Sequence, residues 1–139
     1  MKNLFRIKAI RIDETEDAKF EVCFSNGISK SSLEFYSDED VFKSFAQSLR
    51  DFPKDIHDKI TFEIGKDDDK WAYYLSVKVF CVEPNGKSIF RILIDNHGDI
   101  VNGYRSEFSL NFEVAEINKL GESLSRWKII EGEEWKWPE

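Results

Sequence analysis

The alternation of apolar and polar positions predicts a long β-hairpin over residues Trp71 to Asp95. Every odd position from Trp71 to Cys81 is apolar or aromatic, which is the period of a strand with one buried face. Asn85-Gly86 then supplies the dipeptide that best adopts the positive φ angles of a two-residue type I′ turn. Turn and side-chain pattern therefore predict the same register. The predicted apolar pairs are Cys81 with Phe90, Val79 with Ile92, and Val77 with Ile94.

A second hairpin is predicted earlier in the chain, about Asn26-Gly27. Its first strand alternates through Phe20, Val22 and Phe24. Folding at this turn places Phe20 opposite Leu33 and Ala18 opposite Phe35.

Two helices and three further strands complete the pattern. Apolar residues from Phe42 to Phe52 follow helical spacing after Ser37, a candidate helix cap. A second helical stripe runs from Ile117 to Trp127, with acidic residues at its start. The further strands are residues 5–12, with a change of parity that predicts a bulge near Ala9-Ile10, residues 60–64 and residues 108–112.

This order of elements predicts an α+β fold. The expected architecture is a single antiparallel sheet of about seven strands with two helices packed on one face. We expect one domain over residues 1–127, followed by a tail over residues 128–139 that is rich in tryptophan and glutamate. Residues 95–105 hold Gly98 and Gly103 and are expected to form the longest irregular connection.

Composition is that of a globular protein that folds without metals or disulfides. The chain has 139 residues, of which 41% are hydrophobic and 34% charged. No apolar run is as long as a membrane span, and the first residues do not resemble a secretory signal, so the expected compartment is the cytoplasm. Cys23 and Cys81 are predicted on opposite sides of a sheet, which disfavours a disulfide. With two cysteines and two histidines, neither a zinc site nor a cofactor is expected.

The chain is acidic, with a formal net charge of −7. Acidic residues cluster at several places, among them Asp67-Asp68-Asp69. Such a surface repels nucleic acid and attracts a basic protein, although acidic loops also serve solubility alone.

No catalytic motif is recognisable. The most suggestive segment is Asp95 to Asp99, which places two carboxylates and the imidazole of His97 within five residues. A turn that uses Asp, Asn and Gly for backbone reasons has the same composition, and this interpretation is favoured. The protein is therefore not expected to be an enzyme.

The four tryptophans receive separate interpretations. Trp71 begins the apolar face of the predicted hairpin, Trp127 ends the second helical stripe, and both are expected in the core. Trp135 and Trp137 lie in the tail, which either folds back onto the domain or presents an aromatic contact surface. Folding back is favoured, because free tails seldom keep two tryptophans.

The last third of the chain resembles a known family. An alternating strand, Ser106 to Phe112, passes directly into an acid-started helix with spaced leucines, Glu113 to Leu124, after the hairpin of Leu75 to Asp95. This layout resembles the WapI-like immunity proteins of bacterial polymorphic toxin systems and their uncharacterised relatives. The resemblance implies a bacterial cytoplasmic protein that binds and neutralises a toxin delivered by a neighbouring cell. The tail from Lys128 onward departs from the family pattern, and no toxin-contacting residue can be transferred.

We therefore expect a non-enzymatic binding protein, with a basic toxin domain as its partner and no nucleic-acid or membrane ligand. The alternative is a small-ligand- or lipid-binding domain whose interior is lined by some of the twelve phenylalanines. The oligomeric state is left open. The candidate partner-binding residues are Asp67, Asp68 and Asp69 for electrostatic steering, and Trp71, Trp135 and Trp137 as anchors.

Overall fold

The computed structural model describes residues 2–13, 17–68 and 70–139 and contains two four-stranded antiparallel sheets and two helices in one α+β domain. The first sheet has the strand order β3-β2-β1-β8 and the second the order β4-β5-β6-β7. The elements in chain order are β1 Leu4–Arg11, β2 Ala18–Ser25, β3 Lys30–Ser37, α1 Lys43–Asp51, β4 Lys59–Gly65, β5 Tyr74–Cys81, β6 Lys87–Asp95, β7 Arg105–Glu113, α2 Val114–Arg126 and β8 Glu134–Trp137.

The prediction of a single sheet of about seven strands is wrong. The strands divide at α1 into two sheets, and an eighth strand comes from the tail and pairs with β1. The helices also do not lie on one face of one sheet, because α1 packs against both. Its neighbour Phe42 contacts Phe20 of the first sheet, and Phe45 contacts Phe62 and Phe90 of the second. Alternation predicts which side of a strand is buried, but it does not say which strands pair.

The hairpin of β5 and β6 exists, but its register differs by two residues from the prediction. Val79 pairs with Phe90 and Val77 with Ile92. The strands are joined by a four-residue turn, Glu83 to Gly86, and not by the predicted two-residue turn. The N–H of Gly86 closes it by donating to the Glu83 carbonyl at 3.4 Å. Pro84 explains the difference, because it suits the second position of this turn and would lack the N–H that a strand position needs.

The hairpin of β2 and β3 is also shifted by two residues. Phe20 pairs with Phe35, because the loop spans residues 26–29. The side chain of Asn26 accepts the N–H groups of Ile28 and Ser29 at 2.9 and 2.7 Å and so builds the longer turn. Since both shifts are by an even number of residues, the predicted buried faces are retained. The bulge is confirmed, with a register shift between Ala9 and Arg11.

One hydrophobic core joins the two sheets and the helices. Eleven of the twelve phenylalanines are buried in it and pack largely on one another. The ligand-binding alternative for these rings stays a prediction. Gly121 of α2 lets the helices approach closely, because a Cβ there would lie 2.7 Å from a backbone nitrogen of α1. The predicted cap at Ser37 is wrong, since Ser37 ends β3 and Phe42 precedes the helix without a side-chain cap.

The C-terminal tail is part of the first sheet. Trp135 is buried, stacks edge-on against Phe5 at 5.2 Å, and donates its indole N–H to the Ser123 hydroxyl at 3.0 Å. Ser123 in turn donates to the carboxylate of Glu139 at 2.9 Å. These bonds fix β8 to α2. Neither helix among the described residues has the length and apolarity needed to cross a bilayer.

Candidate functional site

Two connections of the second sheet meet at one end of it. One is the β4–β5 loop, residues 66–73, and the other is the β6–β7 loop, residues 96–104. They lie together because alternate connections of an antiparallel meander emerge at the same end. We call the described residues of these two loops, which exclude Asp69, the loop face.

Arg105 ties the two loops together. It is the first residue of β7 and the cross-strand partner of Asp95, the last residue of β6. Its guanidinium binds the carboxylate of Asp67 through two parallel bonds of 2.8 and 3.0 Å, and it also binds Asp95 at 2.9 Å. This two-point geometry fixes the orientation of Asp67 as well as its distance. One cation therefore anchors the β4–β5 loop to the end of the central hairpin.

His97 is a second tie between the loops. Its backbone has a positive φ of 48°, and its N–H donates to the Asp95 carboxylate at 2.8 Å. This conformation turns the imidazole so that Nδ1 lies 2.6 Å from the Trp71 carbonyl, to which the Nδ1–H tautomer donates. Nε2 lies 3.8 Å from the Asp95 carboxylate. The buried imidazole thus links the two loops by a backbone contact.

The charges of this network stabilise one another. Hydrogen bonding to Arg105 holds the pKa of Asp67 below its usual value of 3.8. Burial opposes ionisation of Asp95, yet the N–H of His97 and the Arg105 guanidinium outweigh it and lower the pKa of Asp95 as well. The same two carboxylates raise the pKa of Arg105. All three groups are therefore charged at neutral pH.

The network is better suited to holding loops than to chemistry. Ligand atoms of Asp67, Asp95 and His97 lie within 4.8 Å of one another, a spacing compatible with a metal ion. However, Arg105 already occupies both carboxylates, and its positive charge opposes a cation there. The sequence grouped Asp99 with Asp95 and His97, but the Asp99 carboxylate has a different role. It accepts the backbone N–H groups of Val101 and Asn102 and so shapes its own turn.

Four large apolar or aromatic side chains of the loop face are left in solvent. Ile100 and Val101 are 101% and 83% exposed, and Trp71 and Tyr104 are 45% and 42% exposed. The expectation that Trp71 belongs to the core is wrong, since it precedes β5 and packs instead under the ammonium of Lys66, 5.4 Å away. Ile100 and Val101 are not among the residues predicted from the sequence, although an apolar pair inside a Gly- and Asn-rich connection is visible there.

A cleft of about 300 Å³ separates the loop face from the edge of β3. Tyr104 crosses it to donate its hydroxyl to the Ser32 carbonyl, and Tyr73 crosses it to bond the backbone of Tyr36. Burial, and then the charges of Glu34 and Glu21, raise the pKa of Tyr104. The carboxylates of Glu21 and Glu34 line the cleft and place negative charge beside the Tyr104 hydroxyl. The residues that line the cleft are Glu21, Ser32, Leu33, Glu34, Ala72, Tyr73, Asn96 and Tyr104.

The candidate partner-binding residues that the structure describes do not form one surface. Asp67, Asp68 and Trp71 lie on the loop face, where Asp68 accepts the N–H of Lys70 at 2.9 Å. Asp69 lies outside the described residues. Trp135 and Trp137 belong to β8, at the edge of the first sheet opposite to β3. Trp135 is buried and Trp137 half-buried, so neither is available as a fully exposed anchor.

Comparison of the chain with protein-family models, with curated proteins and with solved structures finds no significant match in any of the three.

Proposed function

We propose that this protein is a non-enzymatic binding protein of the immunity type, which acts in the cytoplasm and neutralises a basic toxin domain by covering its active surface. The observation that carries the proposal is the exposed apolar group Trp71, Ile100, Val101 and Tyr104 on the loop face. Exposed apolar side chains that cluster on one surface typically mark a contact site for another protein. The resemblance of the strand–helix segment to immunity proteins supports the choice of partner.

Preorganisation of the loop face supports the same function. Binding by a mobile loop loses affinity, because side chains and backbone must be ordered when the partner arrives. Here the side chains of Arg105 and His97 already tie the two loops together. The side chain of Asn96 orders the β6–β7 loop by accepting the N–H groups of Gly98 and Tyr104 at 3.1 and 2.8 Å. The apolar side chains are thus presented on an ordered frame.

Charge favours a basic partner. The net charge of −7 attracts a cationic protein over long distances and raises its association rate. Near the apolar group, Asp68 is exposed and has no cationic side chain bonded to it among the described residues, so it stays available for steering. A nuclease-type toxin binds a polyanion and therefore presents a basic surface. Apolar side chains surrounded by acidic residues are complementary to such a surface.

The test is co-expression with candidate toxin domains encoded by neighbouring genes, together with binding of the purified toxin domain. Ile100→Asp/Val101→Asp is expected to abolish growth protection and to weaken binding about 30-fold or more, the effect of losing roughly 2 kcal/mol of hot-spot contacts. The matched control is Ile28→Asp, which alters an isoleucine 76% exposed in the β2–β3 turn.

Both variants should melt at the wild-type temperature, because the altered side chains are exposed. The proposal fails if the wild-type protein neither protects cells nor binds the toxin domain. The assignment to the loop face fails if the double variant protects as well as Ile28→Asp does.

A further inference from the structure

The edge of β3 offers an unpaired backbone position inside the cleft. The Tyr73 hydroxyl bonds both the N–H and the carbonyl of Tyr36, at 3.0 and 3.4 Å, and Tyr104 bonds the carbonyl of Ser32. The backbone groups of residues 32 and 36 therefore point away from β2. Since these groups alternate along an antiparallel strand, the N–H and carbonyl of Glu34 also point away from β2, toward the cleft.

Two tyrosines limit this open edge to one residue. The hydroxyls of Tyr73 and Tyr104 occupy the neighbouring outward positions on either side of Glu34. A long strand cannot pair with β3 without displacing them, which protects the edge from indiscriminate sheet extension. A single extended residue, by contrast, could exchange two hydrogen bonds with Glu34 and leave both tyrosines in place.

The side chains around this position select for positive charge. Glu21 is the cross-strand partner of Glu34, so both carboxylates lie on the same face of the first sheet. Each carboxylate has one long, partly exposed ion pair, Glu21 with Arg6 at 3.5 Å and Glu34 with Lys19 at 3.8 Å. Arg6 also pairs with Glu134 at 3.9 Å, so two cations serve three carboxylates and a negative charge remains. A residue that pairs with Glu34 places its side chain on this same face, beside both carboxylates.

We propose that β3 receives one residue of an extended, basic segment of the partner, with a lysine or arginine directly opposite Glu34. The partner backbone bonds the N–H and carbonyl of Glu34, and the cationic side chain lies beside Glu34 and Glu21. This inference rests on the proposed function, for which it names the binding mode of a partner segment. A second copy of this chain is a poorer occupant, because symmetric antiparallel pairing at this point would set Glu34 against Glu34.

The position of the cleft supports this assignment. Ala72 and Tyr104 of the loop face form the wall opposite β3, so a partner that covers Trp71, Ile100 and Val101 is already adjacent to Glu34. Burial is the main cause of the raised pKa of Tyr104, and the negative charges of Glu34 and Glu21 add to it. Apolar anchors on the loops and a backbone site on the neighbouring strand thus form one continuous surface.

The experiment follows backbone amide resonances of the full chain during titration with acetyl-Lys-methylamide, a single blocked lysine whose other amide groups point away from β3 and do not compete with Tyr73 and Tyr104. We expect a saturable shift of the Glu34 amide, with an affinity in the range of about 1 mM that is usual for such few contacts. Two control peptides test the backbone hydrogen bonds and the charge preference separately. A version methylated on the lysine backbone nitrogen should lose the response, and acetyl-Glu-methylamide should bind several-fold more weakly.

Two protein variants complete the test. Ala72→Trp fills the cleft from the exposed loop side and should abolish the shift, while Glu34→Gln keeps the backbone site and should reduce the preference for the lysine peptide. The amide of Phe35, which faces β2, serves as an internal control for folding.

The inference is overturned if the Glu34 amide does not respond, if the methylated peptide binds equally well, or if the glutamate peptide is not disfavoured. This readout needs no toxin. A positive peptide response with no toxin neutralisation would refute the proposed function alone, and toxin binding without a Glu34 response would refute only the strand-pairing mode.

Discussion

Replacement of Ser123 by alanine tests how the C-terminal strand is attached. The Ser123 hydroxyl accepts the indole N–H of Trp135 at 3.0 Å, at a position where both residues are buried. Without it, the indole N–H is left in the core with no acceptor, which costs about 1–3 kcal/mol. Alanine also has a higher helix propensity than serine and returns up to roughly 0.5 kcal/mol. We therefore expect a net loss of about 0.5–2.5 kcal/mol in the free energy of unfolding.

Ser125→Ala is the matched control. Ser125 lies on the same helix and is exposed, and its hydroxyl bonds only the Glu122 carbonyl one turn back at 2.7 Å. The propensity gain is the same as at Ser123, but no buried donor is orphaned. Denaturant unfolding followed by circular dichroism should therefore find Ser125→Ala equal to or slightly more stable than the wild-type protein.

A double-mutant cycle with Trp135→Phe isolates the hydrogen bond. Phenylalanine keeps an aromatic ring against Phe5 and has no N–H to satisfy. In this background Ser123→Ala should cost nothing, which gives a coupling energy of about 0.5–2.5 kcal/mol. If Ser123→Ala is as stable as Ser125→Ala, or if its cost is unchanged in the Trp135→Phe background, the described attachment of β8 to α2 is wrong.

Three further predictions concern the helix pair and the loop face. Gly121→Ala should lower the free energy of unfolding, measured by thermal melts, by about 1–2 kcal/mol. The added methyl group clashes with the α1 backbone, and this cost outweighs the gain of about 1 kcal/mol in helix propensity. The control Lys119→Ala should change the free energy of unfolding little. Arg105→Met should speed amide hydrogen exchange in both loops but leave exchange in the central strands unchanged, since the ion pairs it removes are local and half-exposed. The pKa values of Asp67 and Asp95 are lowered in the folded protein, so the stabilisation from these carboxylates should be fully present above their usual pKa of 3.8 and lost as the pH falls through the lowered values. Amide hydrogen exchange in the two loops should therefore accelerate in that acidic range. Acceleration that begins well above pH 3.8 would contradict this assignment.

The local features of this chain were predictable because they depend on nearby residues. Alternation identified the strands and their buried faces, and it retained the correct face even where both hairpin registers were wrong by two residues. The bulge after Ala9 followed from a change of parity that is visible in the sequence. The registers failed because the Asn-Gly pairs were assigned the shortest turn, whereas Pro84 and the side chain of Asn26 build longer ones.

Of the candidate site, the sequence identified Asp67, Asp68 and Trp71 as a group, since they are neighbours in one loop. It could not place Arg105 between Asp67 and Asp95, because that arrangement depends on two loops meeting in space. Ile100 and Val101 were missed for a related reason. Whether an apolar residue in a connection is buried or exposed depends on what packs over it.

By itself, then, the sequence determined the approximate positions of β1 to β7 and of both helices, which sides of them are apolar, and that the chain is acidic. Only the tertiary structure decided that these strands form two sheets, that the tail supplies a strand beside β1, and that Glu34 faces a cleft. The physical reason is the range of the interactions. Alternation and turn chemistry act within a few residues, whereas the pairing of β8 with β1 and the tie between Arg105 and Asp67 join segments far apart in the chain.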